Sequence, residues 1–122
     1  MKTAAATALV LVLVGCGSGQ TVRLETQKWH GTDVAVEVRP APLRAGPAEF
    51  LIIATDADRG PANDLMISIR GRPEDPWQQA IQDGSMGVYH RSLVLVHGQQ
   101  TLYVQVRRRL EQTVLEYPLS AQ

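Results

Sequence analysis

The sequence predicts an all-β fold, an antiparallel β-sandwich of about seven short strands that follows an N-terminal export signal. Apolar and polar residues alternate with a period of two along several segments, which is typical of half-buried strands. Clusters of Gly, Pro, Asp and Asn separate these segments at short intervals, as turns do. After residue 15, no segment sustains the period of an amphipathic helix.

Residues 1–15 have the features of a signal peptide. Lys2 is followed by an uncharged run of apolar and small residues from Thr3 to Gly15. A basic start and a short apolar core are typical of export signals. The run is shorter than the roughly 20 apolar residues that a membrane-spanning helix needs. We therefore expect this segment to be removed during export.

The segment LVGC, residues 13–16, ends this signal, and Cys16 is the only cysteine in the chain. It resembles the lipobox of bacterial lipoproteins, which implies cleavage after Gly15, lipidation of Cys16 and membrane anchoring through acyl chains such as palmitate. A lone cysteine closes no internal disulfide and stays reactive in an oxidising compartment unless it is modified. The alternative is an ordinary secretory signal with an incidental cysteine. We predict a lipid-anchored protein of the cell envelope.

Residues 16–32 are predicted to hold the lipidated cysteine and a flexible tether. Within them, residues 17–20 (GSGQ) have the composition of a flexible linker. Position 17 is Gly and not Asp, which by resemblance to Gram-negative lipoproteins implies the outer membrane, facing the periplasm. The β-sandwich domain is expected over residues 33–122.

Size and charge narrow the choice of partners. Removal of residues 1–15 from the 122-residue chain leaves 107 residues, enough for one domain with a modest core. The mature side chains include 11 basic and 12 acidic residues, because Lys2 leaves with the signal. The basic run 107–109 (RRR) is expected at a solvated strand end or hairpin rim. Without a basic stripe, nucleic acid is excluded as the main partner.

The first two predicted strands differ in pattern. In residues 33–38, Val34, Val36 and Val38 alternate with other residues, so one face of this strand is expected to be buried. Residues 49–55 (EFLIIAT) are almost continuously apolar, as expected for a central strand covered on both faces. Prolines and a glycine between the two segments predict a turn, because proline cannot donate to a strand ladder.

The third and fourth predicted strands follow the turn clusters DADRGPAND and GRPEDP. In residues 65–70 (LMISIR), Leu65, Ile67 and Ile69 share one face. Residues 77–82 form a short strand before the sequence DG, which is a hairpin signal.

The last three predicted strands are residues 88–96, 101–107 and 113–119. Apolar residues alternate most clearly in the middle segment, TLYVQVR. Pro118 in the last segment indicates an edge strand or a strand end. Seven such strands predict a two-sheet sandwich of immunoglobulin-like architecture, although the Cys-Trp-Cys pattern of antibody domains is absent. The architecture implies no immune function.

From about residue 33 to residue 119, the chain resembles the YtkA-like and FixH-like domains. The shared features are a valine-rich first strand, a Gly-Pro turn, LMISIR, then DG, GVY and L-x-L-x-x-G followed by LYVQV. The resemblance implies a small extracytoplasmic β-sandwich, and the FixH branch is linked to assembly of a copper-containing cytochrome oxidase. FixH-like proteins carry a transmembrane helix, whereas a predicted lipid anchor takes its place here.

Copper is the one cofactor that both the residue types and the resemblance suggest. Thioether sulfur and imidazole nitrogen bind copper, and Met66, Met86 and His90 are the candidate metal ligands. Met86 and His90 share a face only if the strand already includes Met86. The alternative is that the methionines fill gaps in the core or rim and that the histidines lie on turns or a polar face. On that alternative, no cofactor is expected.

Enzyme signatures are absent from the sequence. Residues 84–87 (GSMG) lack the G-x-S-x-G spacing of a nucleophile elbow, and no phosphate-binding glycine loop or zinc spacing occurs. Among the aromatics, Trp77 and Tyr89 are expected in the core, whereas Trp29 is unassigned. The leading hypothesis is a non-enzymatic, membrane-anchored module with an envelope protein as its partner and no catalytic residues. The alternative is a periplasmic copper-handling module related to oxidase assembly.

Overall fold

The computed structural model of the protein describes residues 20–84 and 86–122. The predicted signal peptide, Cys16, residues 17–19 of the predicted tether and Ser85 lie outside the described residues. The described residues form eleven β-strands. In this part of the chain, no helix is long and apolar enough to span a membrane.

The strands are named here in chain order. They are β1 (Val22–Arg23), β2 (Gln27–Trp29), β3 (Thr32–Arg39), β4 (Gly46–Asp56), β5 (Gly60–Pro61), β6 (Met66–Arg70), β7 (Gln78–Gln79), β8 (Ile81–Gln82), β9 (Val88–Leu95), β10 (Gly98–Arg108) and β11 (Glu111–Ala121).

These strands form two antiparallel sheets. The first sheet has the order β1-β3-β4-β9-β8, with β2 also paired to β3 and β5 to β4. The second sheet has the order β11-β10-β6-β7. In immunoglobulin notation, β3, β4, β9 and β8 occupy the places of strands A, B, E and D, while β6, β10 and β11 occupy those of C, F and G. The predicted all-β, immunoglobulin-like sandwich is confirmed.

One predicted strand is divided between the two sheets. Residues 77–82 were expected to form a single strand, but β7 pairs with β6 and β8 pairs with β9. Ala80, between them, is buried and still donates its N–H to the carbonyl of Ile67, 2.8 Å away. Because the chain crosses between the sheets just after Ala80, the segment cannot continue as one ladder.

The ordered domain begins earlier than predicted. Residues 16–32 were assigned to the lipidated cysteine and a tether, yet β1 and β2 both pair with β3. Leu24 and Trp29 are half-buried and pack against the core. Strands of two or three residues are too short to display a period, which is why the sequence pattern does not reveal them.

The core lies between the sheets, and alternation decides which side chains enter it. The largest fully buried apolar side chains are Val34, Val36, Val38, Phe50, Ile52, Ile67, Ile69, Leu102, Val104, Val106 and Tyr117. The strand β4 was expected to be covered on both faces, but Leu51 and Ile53 on its outer face are only half-buried. Tyr89 is buried, as predicted, and its hydroxyl donates to the carbonyl of Ala62 over 2.8 Å.

The two ends of the sandwich differ in what they contain. At one end, Ala41 donates its N–H to the carbonyl of Gln20, and Gln122 donates to the carbonyl of Leu43. We call this the Gln20 end. At the opposite end, called the hairpin end, Arg109 and Leu110 form the turn between β10 and β11.

Candidate interaction surface on the second sheet

The structure separates the predicted metal ligands. Met66 begins β6, is 52% exposed and faces outward from the second sheet beside Arg107. His90 faces outward from the first sheet, where its Nε2 lies 2.6 Å from Oε1 of Glu49. Met86 precedes β9 and is 66% exposed. Because the outer faces of the two sheets point in opposite directions, these three residues do not form one coordination sphere.

The other potential metal-ligating side chains of the described residues do not form a metal site either. Within residues 20–84 and 86–122, no group of three or more His, Cys, Asp or Glu side chains is arranged to hold a metal ion. His30 belongs to an exposed turn and lies 3.7 Å from Glu111, while His97 is exposed in the turn between β9 and β10.

The outer face of the second sheet carries several residues of the types that mediate protein binding. We call it the second-sheet face. It consists of Met66, Ser68 and Arg70 of β6, Gln79 of β7, Thr101, Tyr103, Gln105 and Arg107 of β10, and Gln112, Val114, Glu116 and Pro118 of β11. These residues alternate with the buried side chains of the same strands.

A cation–π cluster lies on this face. The guanidinium carbon of Arg70 lies 4.0 Å from the ring centroid of Trp77 and 5.8 Å from that of Tyr103. Tyr103 is directly opposite Arg70 in the ladder between β6 and β10. Trp77 was expected in the core; it is half-buried instead, because it stacks on Arg70 just before β7. Such contacts contribute about 0.5–1 kcal/mol at exposed sites.

The charges on the two outer faces are organised differently. On the first sheet, basic and acidic side chains form cross-strand ion pairs: Arg23 with Glu37 at 3.4 Å, Lys28 with Asp33 at 3.6 Å and Arg39 with Glu49 at 2.8 Å. The hydrogen bond from Arg39 is the main cause that lowers the pKa of Glu49, and burial opposes it. That face therefore neutralises its own charges.

The arginines of the second-sheet face lack such partners. Among the described residues, no carboxylate oxygen lies within 4.0 Å of Arg70 or Arg107. Arg70 donates only to the backbone carbonyl of Asp75 over 3.4 Å, and its buried Nε has no partner. Glu116 is the one acidic member of the face. The second-sheet face is thus basic, with no carboxylate paired to either of its arginines.

Exposed apolar side chains complete this surface. Met66 is 52% exposed and Val114 is 42% exposed on the same face. Aromatic residues, Met and Arg are the types enriched at protein interfaces. The arrangement can therefore bind a protein surface by aromatic and apolar contacts together with charge-assisted hydrogen bonds from arginine.

The sequence did not identify this cluster, although one signal for it was present. Alternation along β10 places Tyr103 on the face opposite Leu102 and Val104. However, the pairing of β6 with β10 places Arg70 opposite Tyr103, 33 positions later in the chain, and periodicity carries no information about such pairing. The contact between Arg70 and Trp77 also depends on the path of the turn at residues 71–76.

Comparison with known proteins adds no relative. Neither protein-family models, nor curated proteins, nor solved structures gave a match to the chain.

Proposed function

We propose that this chain is an envelope lipoprotein, anchored through Cys16, whose sandwich binds another protein through the second-sheet face and performs no catalysis. The observation that carries the proposal is the stacking of Arg70 on Trp77 and Tyr103 without a carboxylate partner. Binding energy at interfaces concentrates on Trp, Tyr and Arg residues that are already held in place. In a Gram-negative host, the outer membrane facing the periplasm is the proposed location.

The cluster is organised in advance for binding. The ring of Trp77 and the hydrogen bond to Asp75 restrict the guanidinium of Arg70, so ordering it in a complex costs little additional entropy. Its planar fork suits a carboxylate, which accepts two parallel hydrogen bonds. These features favour a protein partner that presents acidic side chains.

The sequence features support the anchor. Cys16 follows the signal-like run, and the first described residue, Gln20, lies only four positions later. The resemblance to YtkA-like and FixH-like domains also favours an extracytoplasmic module. We do not propose copper handling, because Met66 and His90 lie on opposite outer faces.

A comparison of variants in intact cells tests the binding surface. Arg70→Ala and Trp77→Ala should each reduce the yield of a chemically cross-linked partner complex about tenfold, as interface hot spots do. Arg23→Ala is the matched control, because Arg23 is a 60% exposed arginine on the outer face of the first sheet. Loss of the complex in Arg23→Ala, with full retention in Arg70→Ala, would contradict the proposal.

A further inference from the structure

The Gln20 end carries exposed apolar side chains beside a basic residue. Val94, near the end of β9, is 71% exposed, and Val96, just after β9, is 45% exposed. Pro47 is opposite Val94 in the ladder and is exposed, as is Arg44 in the preceding loop. We call these four residues the Gln20-end patch. Among the described residues, Arg44 has no carboxylate oxygen within 4.0 Å, so the patch is basic.

The chain that leads to the predicted anchor leaves the domain at this same end. The carbonyl of Gln20 accepts a hydrogen bond of 3.1 Å from Ala41, and Val22 pairs with Val38. Only three residues lie between Cys16 and Gln20, so even a fully extended chain separates the two by at most about 14 Å. An acyl group on Cys16 would therefore hold the Gln20 end close to the bilayer.

We infer that the Gln20-end patch rests on the phospholipid bilayer that holds the anchor. This inference depends on the proposed lipidation of Cys16. Val94 and Val96 insert at the boundary between headgroups and acyl chains, where apolar side chains are stabilised. Arg44 contacts headgroup phosphates, because juxtamembrane basic residues are attracted to anionic lipids. We choose the bilayer as the partner of this patch because the short connection to Cys16 holds the Gln20 end close to it.

Docking in this way leaves the second-sheet face available. Val94 lies on the outer face of the first sheet, whereas Arg70 lies on the outer face of the second. A domain that rests on its Gln20-end patch therefore leaves the outer face of the second sheet outside the docked surface, where soluble or neighbouring proteins can reach it. Lipidation and docking together would fix the orientation of the partner-binding surface.

Site-specific fluorescence on the lipidated full-length protein tests this inference. Because acylation removes the thiol of Cys16, an introduced cysteine is the single labelling site. Val96→Cys and Leu110→Cys are labelled with an environment-sensitive dye and reconstituted in phosphatidylcholine–phosphatidylglycerol vesicles that carry a lipid-borne quencher. Leu110 is the matched control, because it is 96% exposed but lies at the hairpin end. The strand β10 separates the two ends by about 33 Å.

We expect quenching at position 96 to be at least about threefold stronger than at position 110, which lies beyond the headgroup region. Val94→Glu should remove this difference while the protein still floats with the vesicles, whereas Val114→Glu on the second-sheet face should preserve it.

Equal quenching at both positions in floating protein would overturn docking but not the anchor. If the dye at position 96 reports an apolar environment but is not quenched by the lipid-borne quencher, a second copy of the protein covers the patch. That result would also overturn docking. If the exported full-length protein carries no acyl group on Cys16 and does not float, both the anchor and the docking are overturned.

Discussion

Arg108 and Asp56 join the two sheets at the hairpin end: Nη2 of Arg108 on β10 lies 3.0 Å from Oδ2 of Asp56 at the end of β4. The same guanidinium donates to Asp64 over 2.8 Å, and the hydroxyl of Thr32 donates to Asp56 over 2.6 Å. The sequence predicted that residues 107–109 form a solvated rim. That expectation is wrong for Arg108, whose side chain is only 18% exposed, because it lies between two carboxylates.

We predict that Arg108→Met destabilises the domain by about 3 kcal/mol, because it leaves the carboxylate of Asp56 buried without its cation. Urea unfolding followed by circular dichroism measures this loss. Arg109→Met is the control, since Arg109 is exposed in the hairpin turn and its substitution should change stability by less than about 0.5 kcal/mol. Equal effects of the two substitutions would show that the ion pairs of Arg108 contribute nothing.

Stability should also fall in acid because of Asp56. The hydrogen bond from Thr32 is the main cause that lowers the pKa of Asp56, Arg108 lowers it further, and burial opposes both. A carboxyl group whose pKa is lower in the folded state stabilises the fold above its unfolded pKa of about 3.9, and this contribution is lost as pH falls through the folded value. Asp56→Asn should therefore flatten the decline in unfolding free energy below pH 4. An unchanged decline would contradict this role.

Gly87 should be the least replaceable described glycine. It has a φ of +79°, and a Cβ at this position would lie 2.6 Å from the carbonyl oxygen of Ala54. We expect Gly87→Ala to cost about 3 kcal/mol or more, because both the left-handed backbone and this clash oppose it. Gly98→Ala separates the two effects: Gly98 has a φ of +95° with no atom within 4 Å of the Cβ position. Its cost should be about 1–2 kcal/mol, and equal unfolding midpoints for the two variants would refute the clash.

Copper titration provides an independent test of the geometry. Met66 and His90 cannot ligate the same ion if they lie on opposite outer faces. Titration of Cu(I) into the Cys16→Ala protein, which lacks the thiol, should therefore show no stoichiometric site that depends on both residues. A site abolished by Met66→Leu and also by His90→Ala would contradict the arrangement described above.

The limits of sequence-based prediction follow from what periodicity encodes. Alternation places Val34, Val36 and Val38 in the core, and it also locates β6, β9 and β10, because burial of one face repeats every two residues. The pattern does not specify which strands pair. The change of sheet after Ala80 and the meeting of Arg70 with Tyr103 both depend on pairing, so they became apparent only in the structure.

Trp77 illustrates a second limit. Large aromatic residues usually pack in cores, so its residue type favoured burial. The turn that precedes it places the ring over Arg70 on the outer face, at 4.0 Å. Residue type alone does not distinguish an aromatic residue that packs between sheets from one that holds an arginine at a surface.

Site-specific photo-cross-linking in intact cells tests the central claim most directly. A photoreactive amino acid is placed at Gln79, an exposed residue of the second-sheet face, or at Thr55, an exposed residue on the outer face of the first sheet. The proposed function predicts a discrete protein adduct from position 79 that disappears when Arg70→Ala is added, and little adduct from position 55. An adduct from position 55 with none from position 79 would contradict it.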